Sequence, residues 1–199
     1  LLWAHHAFGA LPRHVASLDV GAVRESGELV PLGNAEELFM LAEFVEGHEY
    51  ADDLLRIRSS GEAIALDLDR ADALCDYLVE IHRVKGPDPS LYVRRVRELV
   101  GHGECIFGVS DSYPEKFDVL KKIELQCVEW RWKLRDRTYR LRQVHGDFHP
   151  WNILFRQGTD FSVLDRSRGE WGDAADDVAC LALNFLFFSL QRSGRLEGG

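Results

Sequence analysis

The chain has 199 residues, 46% of them hydrophobic, and a formal net charge of −9. That apolar content suffices for a packed core in one large domain or two small ones. The acidic excess argues against a general nucleic-acid binder, which carries a basic surplus, and is compatible with a cationic substrate.

Residues 1–14 read as the tail of a helix ending at Gly9 and Pro12. His5 and His6 are adjacent, so on a helix they point apart and make a poor metal pair. Two β-prone runs, 15–20 and 28–32, flank Glu25-Ser26-Gly27 and predict a hairpin. Residues 38–45 are nearly continuous in their hydrophobicity and read as a central strand ending at Glu46-Gly47. Beyond it the pattern turns helical. Asp67 or Asp69 can cap a helix with Leu74, Leu78 and Ile81 on one face, stopping before Gly86-Pro87. His82, beside that face, reads as a packed histidine rather than a ligand. Ser90 can cap a short helix through Val93, Val96 and Leu99 to Gly101, and 108–114 reads as a loop rich in turn formers. A long helix follows, with Leu120, Ile123, Cys127, Trp130 and Leu134 at three- and four-residue steps. Its basic residues (Arg131, Lys133, Arg135, Arg137, Arg140 and Arg142) read as solvated face, or as a source of positive potential near a phosphate site.

The most informative stretch is 145–177. It reads His145-Gly146-Asp147-Phe148-His149-Pro150-Trp151-Asn152, then Ile153-Leu154-Phe155, a polar break containing Gly158, and Phe161-Ser162-Val163-Leu164-Asp165. Two short apolar runs joined by a Gly-containing turn predict an antiparallel hairpin. Asn152 precedes its first strand and Asp165 follows its second, so the hairpin brings them to one open end, with Asp147 on the loop leading in. Oxygen ligands without thiols suit Mg²⁺, which takes one or two carboxylates and completes its shell with water and phosphate oxygens. A further carboxylate can orient a substrate hydroxyl and accept its proton. The five-residue step from Asp147 to Asn152 matches the catalytic loop of phosphoryl-transfer enzymes, with a loop Asp as base and an Asn and a second Asp on the metal.

These residues resemble the aminoglycoside phosphotransferase and choline kinase-like family, whose loop reads His-Gly-Asp-x-His-Pro-x-Asn before a hydrophobic hairpin and Asp. The resemblance continues through Gly172-Asp173-Ala174-Ala175-Asp176-Asp177-Val178-Ala179 and spans roughly 8–190. It implies an α+β, protein kinase-like fold: a truncated β-rich small lobe over 1–46, then a mainly helical lobe over 47–199 bearing the catalytic loop (145–152) and hairpin. By the same resemblance Asp147 is the catalytic base, and Asn152 and Asp165 hold Mg²⁺. The backbone of Glu43 and Val45 would meet the adenine of ATP at a hinge, while His145 and His149 brace the loop. Asp177 caps the helix that follows and hydrogen-bonds the loop amides. The implied reaction moves the γ-phosphate of ATP, or GTP, to a hydroxyl of a small molecule.

A rival reading takes His145, Asp147, His149 and Asp165 as a metallohydrolase cluster, but no histidine follows His149 and Asn152 is left without a role. The sequence also departs from the family. After Asp165 comes Arg166-Ser167-Arg168-Gly169-Glu170-Trp171 where relatives often place an aromatic, so Arg166 or Arg168 can reach a phosphate or simply face solvent. Trp151 replaces a small residue and either contacts substrate or packs. No G-x-G-x-x-G pattern is present and Lys85 is the first lysine, beyond the hinge. The phosphate-clamping strands are therefore expected upstream of Leu1 and a helical extension beyond Gly199, in a chain that reads as a fragment. A catalytically inactive kinase-like binding module is the alternative. Cys75, Cys105, Cys127 and Cys180 form no Cys-x-x-Cys pair and read as reduced core thiols of a cytoplasmic protein. No secretory leader is visible, and the apolar run 178–190, interrupted by Asn184, reads as a buried helix too short to span a bilayer. Neither a nucleic-acid nor a membrane partner is expected.

Overall fold

The computed structural model describes residues 2, 17–35, 37–103, 105–166 and 168–194. The expectations for His5, His6 and the helix tail over 1–14 lie outside the described residues. The chain divides into two compact units, Leu1–Phe44 and Val45–Gly199.

In the first unit β1 (Gly21–Val23) and β2 (Leu29–Pro31) pair antiparallel, with Ala22 opposite Val30. Gly27 closes their turn at φ +82°, in a region that side chains resist. The hairpin forms where expected, but its first strand starts at Gly21 rather than running over 15–20. Asp19 explains the offset: its Oδ1 accepts from the amides of Val20 (2.7 Å) and Gly33 (2.8 Å), a side-chain bond that displaces the ladder. The strand expected over 38–45 is absent. Residues 37–47 have no regular secondary structure, and Phe39, Met40 and Leu41 are each 89% exposed. Hydrophobicity marks a segment that seeks cover; a strand also needs an edge to pair with. Among the described residues of this unit the sheet contains β1 and β2 alone.

The second unit runs β3 (His48–Glu49), α1 (Tyr50–Ser60), α2 (Ala65–His82), α3 (Ser90–Gly101), α4 (Ile106–Ser112) and α5 (Phe117–Leu134), then β4 (Leu141–Gln143), β5 (Ile153–Phe155), β6 (Phe161–Val163), β7 (Trp171–Asp173) and α6 (Ala174–Ser193). Asp67 caps α2 by accepting the Ile64 amide at 2.8 Å. At α3 Ser90 is the first helical residue and Pro89 the N-cap, and the Asp88 carboxylate just ahead takes both the Ser90 amide (2.9 Å) and the Ser90 hydroxyl (2.7 Å). Part of the loop expected over 108–114 is helical. The Ser110 and Ser112 hydroxyls fold back onto the carbonyls of Ile106 and Gly108, so these turn formers satisfy themselves inside a helix. Arg140 and Arg142, read as solvated, are partly structural: Arg140 forks onto Asp173, and Arg142 donates to the carbonyls of Tyr139 and Leu141. Cys75 is exposed rather than in the core, while Cys105, Cys127 and Cys180 are half-buried.

β5 pairs with β6 as the predicted antiparallel hairpin, Ile153 opposite Val163, and β3 joins the other edge of β5. Gly47 permits that approach, since a Cβ there would lie 3.0 Å from both Leu154 Cβ and the Phe155 carbonyl. Ile153 and Phe155 are fully buried with Tyr50, Leu74, Phe148 and Phe188 in the main core. Burying an aromatic or a large aliphatic side chain is worth about 1.5–3 kcal/mol, which seats the hairpin firmly. Its turn is fastened by Arg70, only 5% exposed. Arg70 donates to the Gly158 carbonyl (2.9 Å), pairs with Asp53 and lies 4.5 Å over the Phe155 ring. β4 and β7 form a separate antiparallel pair, Arg142 opposite Gly172, leading into α6. At 20 residues α6 is longer than the apolar run 178–190 and is, by length and composition, long enough to cross a bilayer. Its Asp177, Leu181 and Phe188 are buried within the unit.

Candidate active site

The site is built around one buried carboxylate. Asp177, in the first turn of α6, is 0% exposed. Its Oδ2 accepts from the His145 amide (2.9 Å), its Oδ1 from the Gly146 amide (2.8 Å), and His82 Nε2 lies 3.0 Å from Oδ2. Burial alone would raise its pKa; the hydrogen bonds from His82, Gly146 and His145 outweigh burial and hold it below the ordinary carboxylate range. The helix cap proper is Asp173, which accepts from the Ala175 amide at 3.0 Å, so Asp177 is committed to the loop.

From that anchor the loop turns through Gly146, at φ +88°, where a Cβ would sit 3.1 Å from the Gly169 carbonyl. His145 is buried and its Nδ1 faces the Asp147 amide at 3.3 Å. An acceptor Nδ1 leaves the ring proton on Nε2, and burial pushes the His145 pKa down, favouring that neutral form. His149 Nε2 stands 3.7 Å from Asp147 Oδ2, and its ring meets Trp151 edge-on at 5.7 Å. Trp151 in turn stacks on Phe188, centroids 5.9 Å apart, so at least one face of the indole is used in packing.

Asn152 closes the short turn Pro150–Asn152 and donates through Nδ2 to the Asp147 carbonyl at 3.0 Å. That bond fixes the amide's orientation, because a carbonyl can face only the NH₂ group, and it turns Oδ1 away as an oxygen donor. The Leu164 amide donates to the Asn152 carbonyl (2.8 Å), extending the hairpin pairing one step beyond Ile153 and Val163. Asn152 therefore lies beside Leu164, immediately before Asp165. Asp165 is exposed and has φ +51°, the one non-glycine residue with positive φ among the described residues. The structure thus brings Asp147, Asn152 and Asp165 to one end of the hairpin. Glu43 lies exposed in the first unit and Val45 half-buried in the second, both within 37–47; the cluster is built without them.

The donor set fits magnesium. Asn152 Oδ1 and the Asp165 carboxylate are hard oxygen ligands, and Mg²⁺ keeps waters and phosphate oxygens for its remaining positions. Among the described residues no group of three or more His, Cys, Asp or Glu is arranged to hold a metal, so the histidine-rich metallohydrolase cluster is not assembled. The Nδ1 of His145 is already taken by a backbone amide.

Two arginines contribute further, Arg95 unforeseen from the sequence and Arg168 expected there only to reach a phosphate or face solvent. Arg95 on α3 is 6% exposed and donates to Asp176 Oδ2 (3.1 Å), the Arg168 carbonyl (2.8 Å) and the Gly146 carbonyl (3.0 Å). It ties α3, α6, the segment after Asp165 and the catalytic-type loop together. Arg95 sits three residues after Tyr92 and one before Val96, on the apolar stripe of its helix, and an arginine in such a stripe is the available signal. Arg168 is the second: its Nε lies 3.4 Å from Asp147 Oδ2. Arg166, by contrast, spends its guanidinium on the carbonyls of Val144 and Glu170.

A family model described as a phosphotransferase enzyme family (APH) matches residues 3–198. No curated protein and no solved structure matches the chain. The chain belongs to this phosphotransferase family, the one its 145–177 stretch resembles, and with membership goes a protein kinase-like fold of mixed helix and small sheets.

Proposed function

We propose that the chain carries the catalytic loop of a cytoplasmic, magnesium-dependent enzyme that transfers the γ-phosphate of ATP, or of GTP, to a hydroxyl group of a small molecule. The observation that carries this reading is the meeting of Asp147, Asn152 and Asp165 at one end of the β5–β6 hairpin, with the loop backbone held by Asp177. In it, Asp147 orients the acceptor hydroxyl and takes its proton, a role worth about 10²–10⁴ in rate. Asn152 and Asp165 would hold Mg²⁺, which supplies charge neutralisation on the transferring phosphoryl group. Glu43 and Val45 would meet the adenine edge through their backbone. His145, His149 and Asp177 keep Asp147 in place without touching substrate.

Mg-dependent ATP binding, followed by titration calorimetry on wild type, Asp165→Ala and Asp147→Ala, tests the assignment. Asp165→Ala is expected to weaken binding. Asp147→Ala is expected to bind ATP normally and to lose turnover. Unaltered Mg-ATP affinity in Asp165→Ala, or unchanged turnover in Asp147→Ala, would sink the respective role. A catalytically inactive binding module is the second reading. Nucleotide binding without transfer to any acceptor would select it.

A further inference from the structure

Within the segment that departs from the family, Arg168 to Trp171 wall one side of a cleft of about 550 Å³ whose other side is α3. Arg94, Arg95 and Glu98 line it from the helix, and Arg168, Glu170 and Trp171 from the segment. Arg168, which lines this cleft, also stands 3.4 Å from the Asp147 carboxylate, so one side chain links the cleft to the group assigned as base.

Charges of the cleft are paired, Arg168 with Asp147 among them. Arg95 is matched to the half-buried Asp176 and to two backbone carbonyls. Arg94 pairs with Glu98 at 2.6 Å along the helix, and Glu170 accepts from the Trp171 indole at 2.8 Å. Arg168 sits at the junction of cleft and carboxylate, about one-third exposed, with its backbone held by Arg95. A cationic acceptor entering here would bring its ammonium against a guanidinium on the flank of Asp147 that should attract it. An acceptor carrying an oxyanion would find a planar fork of donors matched to carboxylate or phosphate.

We infer that this cleft is the acceptor site and that Arg168 is its specificity-determining residue, selecting hydroxyl compounds that bear a carboxylate or a phosphate monoester beside the hydroxyl. This rests on the phosphotransferase reading above and narrows its substrate class. The formal charge of the chain points the other way, toward cations, but net charge averages the whole surface whereas selection is made at one contact.

Binding and turnover are measured on the protein with four probes: glycerate and glycerol 3-phosphate as anions, glycerol as the neutral compound, and choline as the cation. By calorimetry the anions are expected to bind at least about tenfold tighter than glycerol or choline, and Arg168→Gln to weaken them about 30-fold, the size of one charge-assisted hydrogen bond. Arg168→Lys should recover part of the loss. Glycerol binding, the KM for ATP and the thermal midpoint should stay near wild type. A preference for choline, equal binding of all probes, or an Arg168→Gln defect that falls equally on every probe or on the KM for ATP would overturn the inference. Between the two anions, the tighter binder tells carboxylate from phosphate. Anion-selective binding with no phosphate transferred would instead refute the phosphotransferase reading, and transfer without anion preference would refute only this one.

Discussion

The β5–β6 hairpin is fastened near both ends by a buried arginine, and the two fastenings differ in what they leave available. At the turn end Arg70 grips the Gly158 carbonyl, and its charge is met by Asp53. At the open end Arg95 grips the carbonyls of Gly146 and Arg168, and its charge is met by Asp176. The turn end stops there. The open end adds a second clamp, Asp177 on the amides of His145 and Gly146, and then presents three oxygen-bearing side chains, those of Asp147, Asn152 and Asp165. One chemistry of attachment thus serves the turn at one end and a cluster of oxygen-bearing side chains at the other. The extra carboxylate clamp is what distinguishes the open end.

The sharpest break in this comparison comes from Asp147→Ala, expected to lower kcat by about 10³-fold, within the range for a positioned acid–base group. The thermal midpoint should remain near that of wild type, because the Asp147 carboxylate touches only the partly exposed side chains of His149 and Arg168, at 3.7 and 3.4 Å. Next come the clamps. Asp177→Ala and Arg70→Ala each strand buried partners and should lose about 3–5 kcal/mol in urea unfolding. They separate in the residual folded fraction: Arg70→Ala should retain kcat within about threefold, under 1 kcal/mol of barrier, while Asp177→Ala should lose most of it. Equal retention of kcat by both variants would erase the distinction between the two ends.

A smaller, signed effect distinguishes two neighbours. The Asp177 pKa is depressed in the folded chain, with hydrogen bonds outweighing burial. Its contribution to stability is therefore present above the ordinary carboxylate value of about 4 and is lost as pH falls through the lower folded value. Burial raises the pKa of Asp176 despite Arg95. Its contribution has the opposite sign, present below about pH 4 and lost as pH rises through the folded value. Denaturant titrations between pH 3 and pH 7, on the order of one unit apart, should show Asp177→Asn flattening the acid-side slope and Asp176→Asn removing the opposing one. Smallest is Trp151→Ala, expected to cost about 1 kcal/mol for the lost ring stack on Phe188, measured as a thermal shift.

What the sequence made legible is what it encodes locally. The α2, α3 and α5 helices follow from apolar spacing, and the hairpin from two short runs around Gly158. Asp177 on the loop amides follows from a motif whose members are close along the chain. The misses are of another kind. Residues 38–45 have the composition of a strand, but composition does not name a partner edge. Ser90 looks like a cap, yet it is the first helical residue, and Asp88 two residues earlier takes its amide. Arg70 and Arg95 reach backbone carbonyls 51 to 88 positions away, and no local pattern reports such a bond. Both sit in the apolar stripes of their helices, at Leu74 minus four and Tyr92 plus three. Such a residue is a charge that has to be met across the fold.

The Arg95–Asp176 pair has a consequence for how this molecule can change over generations. Losing either partner alone leaves an uncompensated charge in the interior, whereas replacing both by apolar groups of similar volume can be close to neutral. Because Arg95 also holds two carbonyls, the permissible replacements must either keep a guanidinium or rebuild the 146 and 168 backbone together. Positions 95 and 176 are therefore expected to covary, exchanged jointly or not at all, while the backbone at 146 and 168 stays in place.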